Sequence, residues 1–394
     1  MIEKPETALS RLVSVDVFRG ITIIGMILVN NPGSWSTVYG PLLHAEWHGW
    51  TPTDLIFPFF LFIVGVAIVL ALGRKVEGGA LKASLVGKIF RRAGILFALG
   101  LLGSGFPFGL FGPRSFERLL ETWRIPGVLQ RIAVCYLLAA LMFLFLRRRS
   151  LRAWAVILLF GYWALLALVP VPPVDAAGQE GVGRVAPDLA SKGQHLAGWL
   201  DRTVFGDHLW VLGKVYDPEG LLSTLPALAT TLFGIFAGLI LVSADPPPKK
   251  VAGLFVGGTL LAAAGHVWGW VFPINKALWT SSYAVFTAGL AFCALGLCSL
   301  FFDLEGRTRL ARPLTIFGVN AITVFVGSGL LARTLAYIEV GAEDGRSLQA
   351  HLHQTFFASW LPPYAASLAY AICWVLGWFL VLAWMDRRGW RIKI

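Results

Sequence analysis

NNPGSWSTVYGPLLHAEWHGWTPTDLIFPFFLF, residues 30–62, leaves one apolar stretch, passes through a turn-rich polar loop and enters another. The apolar residues that follow Asp54 run on to Leu72, enough to cross a hydrocarbon core of about 30 Å as a helix. Between the two runs the loop gathers His44, Glu46, His48 and Asp54. In a chain that is 57% hydrophobic and 14% charged, such a cluster of titratable groups is the expected seat of chemistry.

Outward from this loop the same pattern repeats. Apolar stretches predict ten helical spans, near 21–30 with flanking turns, 54–72, 93–111, 127–146, 153–169, 221–242, 251–271, 279–302, 314–331 and 363–385. Each must be helical, because a lipid-exposed backbone has only itself to hydrogen-bond. The expected fold is therefore all-α, a polytopic membrane bundle forming one domain over residues 1–394. Loops near 31–53, 171–220 and 332–361 connect its helices on one side. The first helix, preceded by polar residues without a small-residue cleavage site, is expected to stay as a signal anchor.

Charge orients the bundle. With both termini cytoplasmic, the loops on that side carry 22 Lys and Arg against 10 in the alternate loops, as the positive-inside rule requires. The His44 loop and the two longer loops are then extracytoplasmic. A net charge of +11 is accounted for by this topology and by anionic lipid, so the lipid bilayer is an expected partner and nucleic acid is not. Cys135, Cys293, Cys298 and Cys373 all fall inside predicted spans, as packing residues rather than metal ligands.

Thr51-Pro52-Thr53-Asp54 reads as a helix start, with Thr51 as N-cap, Pro52 at the first helical position and Asp54 closing a capping box. A rigid carboxylate there can also orient an imidazole, and both readings can hold together. His44 and His48 stand four apart, but Gly49 and the nearby prolines favour an irregular loop over a helical zinc site, and no metal is expected. Either histidine could be an interfacial side chain beside Trp35, Tyr39, Trp47 and Trp50, or a base or nucleophile working near neutral pH. Further polar groups (Asn30, Arg124, Arg131, Asn275, Lys276 and Asn320) sit in or beside spans. Each singly suits helix–helix hydrogen bonding; together they suit a cavity for a phosphate-bearing cofactor.

Six blocks carry a resemblance: SVDVFRGITIIGMILVNNPG, LLHAEWHGWTPTDLIFPFFLFIVG, RIPGVLQRIAVCY, YDPEGLLSTLPA, PINKALWTSSY and FGVNAITVFVG. In this order they resemble the heparan-alpha-glucosaminide N-acetyltransferase family, including its bacterial members. The resemblance implies transfer of acetyl from cytosolic acetyl-CoA to the amine of an amino sugar across the membrane, with location in a bacterial inner membrane. It matches His44 to the family's catalytic histidine, Asp54 to the aspartate of TxxDL and Asn30 to the asparagine of the VN motif; His48 stands where the lysosomal enzyme carries asparagine. Arg124 and Arg131, then Asn275 and Lys276, are the expected ligands of the acetyl-CoA phosphates. A homodimer is compatible with this reading. His44 acts either as general base in a ternary complex, the favoured form, or as a transient acyl acceptor. An O-acyltransferase of cell-surface polysaccharide, or a sugar or acyl-carrier transporter, are the competing classes.

Overall fold

The computed structural model describes residues 12–79, 81–109, 116–175, 178–340 and 345–392. Its long helices are α1 (Val13–Asn30), α2 (Ile56–Ile68), α3 (Lys82–Gly105), α4 (Val128–Phe145), α5 (Arg148–Leu168), α6 (Leu196–Phe205), α7 (Thr224–Leu241), α8 (Pro247–Trp268), α9 (Ser281–Cys298), α10 (Thr308–Val319), α11 (Ala321–Tyr337) and α12 (Pro363–Arg387). Among the described residues, eight helices are long and apolar enough to cross a membrane. A ninth crossing arises if α10 and α11, bent by 72°, are taken as one. Among the described residues, strand is confined to a two-residue ladder, Glu339–Val340 with Arg346–Ser347.

The expected ten spans map onto these nine and α3. That helix starts eleven residues before the expected Ala93 because it is amphipathic: Leu85, Ile89, Ala93 and Leu96 are buried while Lys82, Lys88 and Arg91 are exposed. Its 24 residues, at about 1.5 Å each, still reach across a bilayer. The bend between α10 and α11 falls at Asn320, whose φ of −108° and ψ of 30° leave the helical region.

Local chemistry sets the ends of the helices that matter to the site. Asn31-Pro32-Gly33 stops α1, and the Asn31 side chain donates to the carbonyl of Ile27 (2.8 Å), satisfying one of the acceptors a helix end leaves open. The capping box at Thr51 is present in both directions and begins a four-residue 3-10 turn, Pro52–Leu55, that runs into α2. Proline also opens α8 and α12, where its missing N–H is no loss.

In the interior α2 packs on α7, α8 on α9, α3 on α4 and α1 on α10. Phe57, Leu61, Leu228, Trp279 and Tyr283 belong to the largest apolar cluster, directly beneath the His44 loop. The 171–220 segment is ordered over its described residues. It carries α6 and the bridges Val171–Val185 and Val174–Glu180, and it seats Ala197 against Tyr162, Leu166 and Phe272.

Small residues let α2 and α7 touch backbone to backbone. A Cβ on Gly65 would lie 2.0 Å from the Thr231 carbonyl oxygen, and one on Gly234 would lie 2.0 Å from that of Phe62. Membrane helices associate through such close approach, and overpacking costs about 1–3 kcal/mol. Gly234→Ala should therefore lower the melting temperature in detergent by several degrees, whereas Gly161→Ala, with nothing within 4 Å of its added methyl, should leave it unchanged; fluorescence-detected melting checks both.

Candidate functional site

Asp54 is the centre of the site. Its side chain is fully buried, and the helix start holds it so that each oxygen has a separate task. Oδ2 accepts from the backbone N–H of Thr51 (3.0 Å), the Thr51 hydroxyl (3.2 Å) and the N–H of Ala45 (3.0 Å). Oδ1 lies 2.6 Å from Nδ1 of His44, whose side chain is 50% exposed. One carboxylate thus caps the helix and grips the imidazole. With Nδ1–H donating to Asp54, the lone pair is left on Nε2 and turned toward the accessible side.

The 273–280 turn delivers the third member. Its backbone closes on itself through Asn275: Oδ1 accepts from the N–H of Leu278 (2.9 Å), and the Asn275 N–H donates to the Thr280 hydroxyl (3.0 Å). Trp279, in the left-handed region at φ 50°, is buried beneath it and its indole N–H donates to Thr230 (3.2 Å). This frame places Nζ of Lys276 at 2.9 and 3.0 Å from the two ring nitrogens of His44, and 3.6 Å from Oδ1 of Asp54. Burial lowers the pKa of Lys276, while the charges of Asp54 and Glu219 pull it back up. Behind the pair, the Tyr283 hydroxyl donates to the carbonyl of Asp54 (2.5 Å).

His48 lies on the other side of the same turn. The Asn275 amide is 3.3 Å from its Nδ1, and the Gly49 N–H donates to the carbonyl of Ile274 (2.8 Å). Burial lowers the His48 pKa against the opposing charge of Asp188. Trp47 pins the loop to the 171–220 cap, donating to Leu189 (2.7 Å) and packing on His195 and Tyr216.

Arg124 and Arg131 hold the cap. Arg124 makes a two-pronged pair with Asp217 (2.9 and 2.6 Å) and also binds Glu219 (2.5 Å), so its pKa is raised by these carboxylates in spite of burial. Arg131 donates to the carbonyls of Pro218 and Gly220 (2.9 Å each) and to Ser223 (2.5 Å). The structure therefore brings His44, Asp54, Lys276 and Asn275 together, and engages Arg124 and Arg131 with the Tyr216–Ser223 turn instead of leaving them open to an anion. Asn30 is exposed at the end of α1. Among the described residues no cluster of His, Cys, Asp and Glu is grouped to hold a metal ion.

Two cavities are lined by residues of the bundle. The larger, about 500 Å³, has Asp16, Arg19, Arg92, Tyr136 and Arg391 along its wall, together with Phe60, Leu129 and Phe325. Phe60 stands six residues beyond Asp54 on the same helix, about 9 Å. The smaller, about 180 Å³, is lined by α3 glycines and by Arg124, Gln130 and Arg333, and shares Leu129 and Phe325 with the larger. Arg19, Arg92 and Arg391 were not foreseen as site residues. Their only sequence signal is a conventional one, basic residues flanking spans.

Residues 11–175 match the family model described as heparan-alpha-glucosaminide N-acetyltransferase, catalytic. The chain is 31% identical over 390 residues to the human heparan-alpha-glucosaminide N-acetyltransferase, covering 89% of this chain and 57% of that protein. Against the mouse protein of the same name it is 31% identical over 400 residues, with 90% and 59% covered. The chain thus spans less than two thirds of the length of these curated relatives.

The cap also contains a titratable group. Asp201 is buried against Gly220, accepts from the N–H groups of Leu221 (2.9 Å) and Asp217 (3.2 Å), and faces the charges of Asp217 and Arg131. Burial pushes its pKa up from 3.8 to about 7, the Asp217 charge adding to that and the two N–H groups and Arg131 opposing it. A raised carboxyl pKa in the folded protein favours folding at low pH, and that advantage disappears between about pH 4 and 7. Raising the pH through that window should lower the melting temperature of the wild-type protein more than that of Asp201→Asn; parallel curves would remove Asp201 as the source.

Proposed function

We propose that the chain is a member of the heparan-alpha-glucosaminide N-acetyltransferase family, an integral membrane acetyltransferase that moves acetyl from cytosolic acetyl-CoA to the amine of an extracytoplasmic amino sugar. The observation that carries the reading is the half-exposed His44 imidazole gripped at 2.6 Å by a fully buried carboxylate, Asp54. A base for an amine needs a lone pair open to the acceptor and a partner that stabilises the imidazolium as it forms. His44 Nε2 supplies the first and Asp54 the second. Asn30, at the mouth of the same loop, is proposed as a further site residue on the strength of its motif.

For the donor, the 500 Å³ cavity lies within the range of about 300–1,000 Å³ typical of small-molecule sites. Its guanidinium groups suit phosphates, and its apolar length suits the slender pantetheine arm aimed toward Asp54. We therefore assign the phosphates to Arg19, Arg92 and Arg391. Arg124 and Arg131, already engaged, are assigned to shaping the site, as is Asn275. The loop charges support cytoplasmic termini, which puts these arginines on the cytosolic side and His44 on the other. In a bacterium the corresponding membrane is the inner one.

The chemistry then proceeds in a ternary complex. The amine, once deprotonated, attacks the thioester carbon; a C–N bond forms, the proton passes to His44 Nε2, and collapse breaks the C–S bond, returning the proton to the CoA sulfur. Acetyl-CoA and RNH2 become RNHAc and CoA thiol. Direct transfer avoids a hydrolysable acyl-imidazole on a face open to water.

His44→Ala should abolish transfer to glucosamine while acetyl-CoA still raises the melting temperature, because the imidazole acts on the transition state. Arg92→Gln should raise the KM for acetyl-CoA roughly tenfold or more, the loss of one charge-assisted contact of about 1.5–3 kcal/mol, with kcat retained. Sidedness is the decisive test of the whole reading. In sealed vesicles of known orientation, acetyl-CoA confined to the cytoplasmic face should acetylate glucosamine confined to the opposite face. Product formed only when both share one compartment would reject a transmembrane route, and product on hydroxyl acceptors alone would favour an O-acyltransferase.

A further inference from the structure

Resting on the acetyl-transfer reading, we infer that Lys276 is a catalytic residue in its own right, the cation that receives the negative charge developing on the thioester oxygen, and not a phosphate ligand. Its ammonium lies 2.9 and 3.0 Å from the two nitrogens of the His44 ring. Nδ1 already faces Asp54 at 2.6 Å, so a proton on Nδ1 is directed there, and Nζ, nearly equidistant from both ring nitrogens, lies against the imidazole and leaves the Nε2 lone pair open to the amine.

That contact places a cation and a base side by side, which is the spacing a tetrahedral intermediate requires. The attacking nitrogen and the former carbonyl oxygen are near neighbours on one carbon, so a base reaching the first and a donor reaching the second must themselves be close. When the acetyl group arrives, Nζ exchanges its contact with the imidazole for one with the carbonyl oxygen. As the C–N bond forms, the C=O π pair becomes an oxyanion held by the ammonium. When the C–S bond breaks, that pair returns to the carbonyl and Lys276 keeps its proton throughout.

The setting fits an electrophile better than a phosphate anchor. Lys276 is fixed by the Asn275-closed turn, with the charges of Asp54 and Glu219 acting on it. These two carboxylates oppose the lowering that burial imposes on its pKa, and they would repel a phosphate. It also stands with the imidazole, and neither is among the residues that line the large cavity with the arginines.

Steady-state kinetics of Lys276→Gln and Lys276→Arg, together with melting temperatures measured with and without acetyl-CoA, test the assignment. Removal of one oxyanion donor lowers kcat by about 100- to 1,000-fold. Lys276→Gln should show that loss with the acetyl-CoA-induced rise in melting temperature intact, and Lys276→Arg, which keeps the cation, should recover part of it. A raised KM and weaker acetyl-CoA stabilisation with kcat preserved would make Lys276 a phosphate ligand and overturn the inference, as would wild-type kcat in Lys276→Gln. Equal loss in both variants would assign the residue a structural role only. Absence of acetyl transfer by the wild-type protein would instead reject the functional reading on which this rests.

Discussion

Everything at the His44 face answers to one constraint: a carboxylate removed from water must have its charge and its lone pairs matched by the protein. Asp54 meets it with three donors on Oδ2 and with an imidazole and an ammonium at Oδ1. Each donor drags a different part of the chain into place. Thr51 brings the start of α2, Ala45 and His44 bring the loop, and Lys276 brings the turn between α8 and α9. The carbonyl of Asp54 adds α9 through Tyr283. Because removing one partner of a buried charge leaves the rest uncompensated, the cluster is cooperative in construction, and the position of the imidazole is over-determined.

A second tier of charge fixes the roof. Arg124 and Arg131 bind the Tyr216–Ser223 turn through two carboxylates, two carbonyls and a hydroxyl. Arginine suits this task because its planar fork presents several donors at once. Glu219 links the tiers, since it is bound by Arg124 and also acts on Lys276. Of the arginines of the large cavity, Arg19 pairs with Asp16 and the Gly318 carbonyl, and Arg391 with Asp386. Arg92 lies over the Tyr136 ring at 4.9 Å, and its Nε is buried without a partner.

What could be read from the chain followed from short-range rules. Apolar length gave the number and order of the helices, and Thr51-Pro52-Thr53-Asp54 revealed both its capping box and a carboxylate near His44, because those residues are ten positions apart or fewer. The N-terminal half of α3 escaped notice because its lysines and arginines lower the average hydropathy while its buried residues keep helical spacing. Lys276 was visible as a charged residue beside a span, but its contact with His44 joins positions 232 apart, and nothing local specifies that pairing. The contacts of Arg124 and Arg131 with the Tyr216–Ser223 turn were hidden for the same reason. A basic residue in an apolar chain says that a partner exists, while the partner's identity, Asp217 or an outside phosphate, is a tertiary fact.

The two cavities meet at Leu129 and Phe325. A passage wet from end to end would let ions run down their gradient, and a membrane that stores energy as a voltage cannot tolerate a protein that leaks. Two apolar side chains shared by both linings are of the kind that dewets a narrow pore. A slim organic chain can part them and seal the gap in the same act, being itself a poor conductor. On the proposed reading, a bundle so built admits a reactive group to the far face while remaining an electrical insulator.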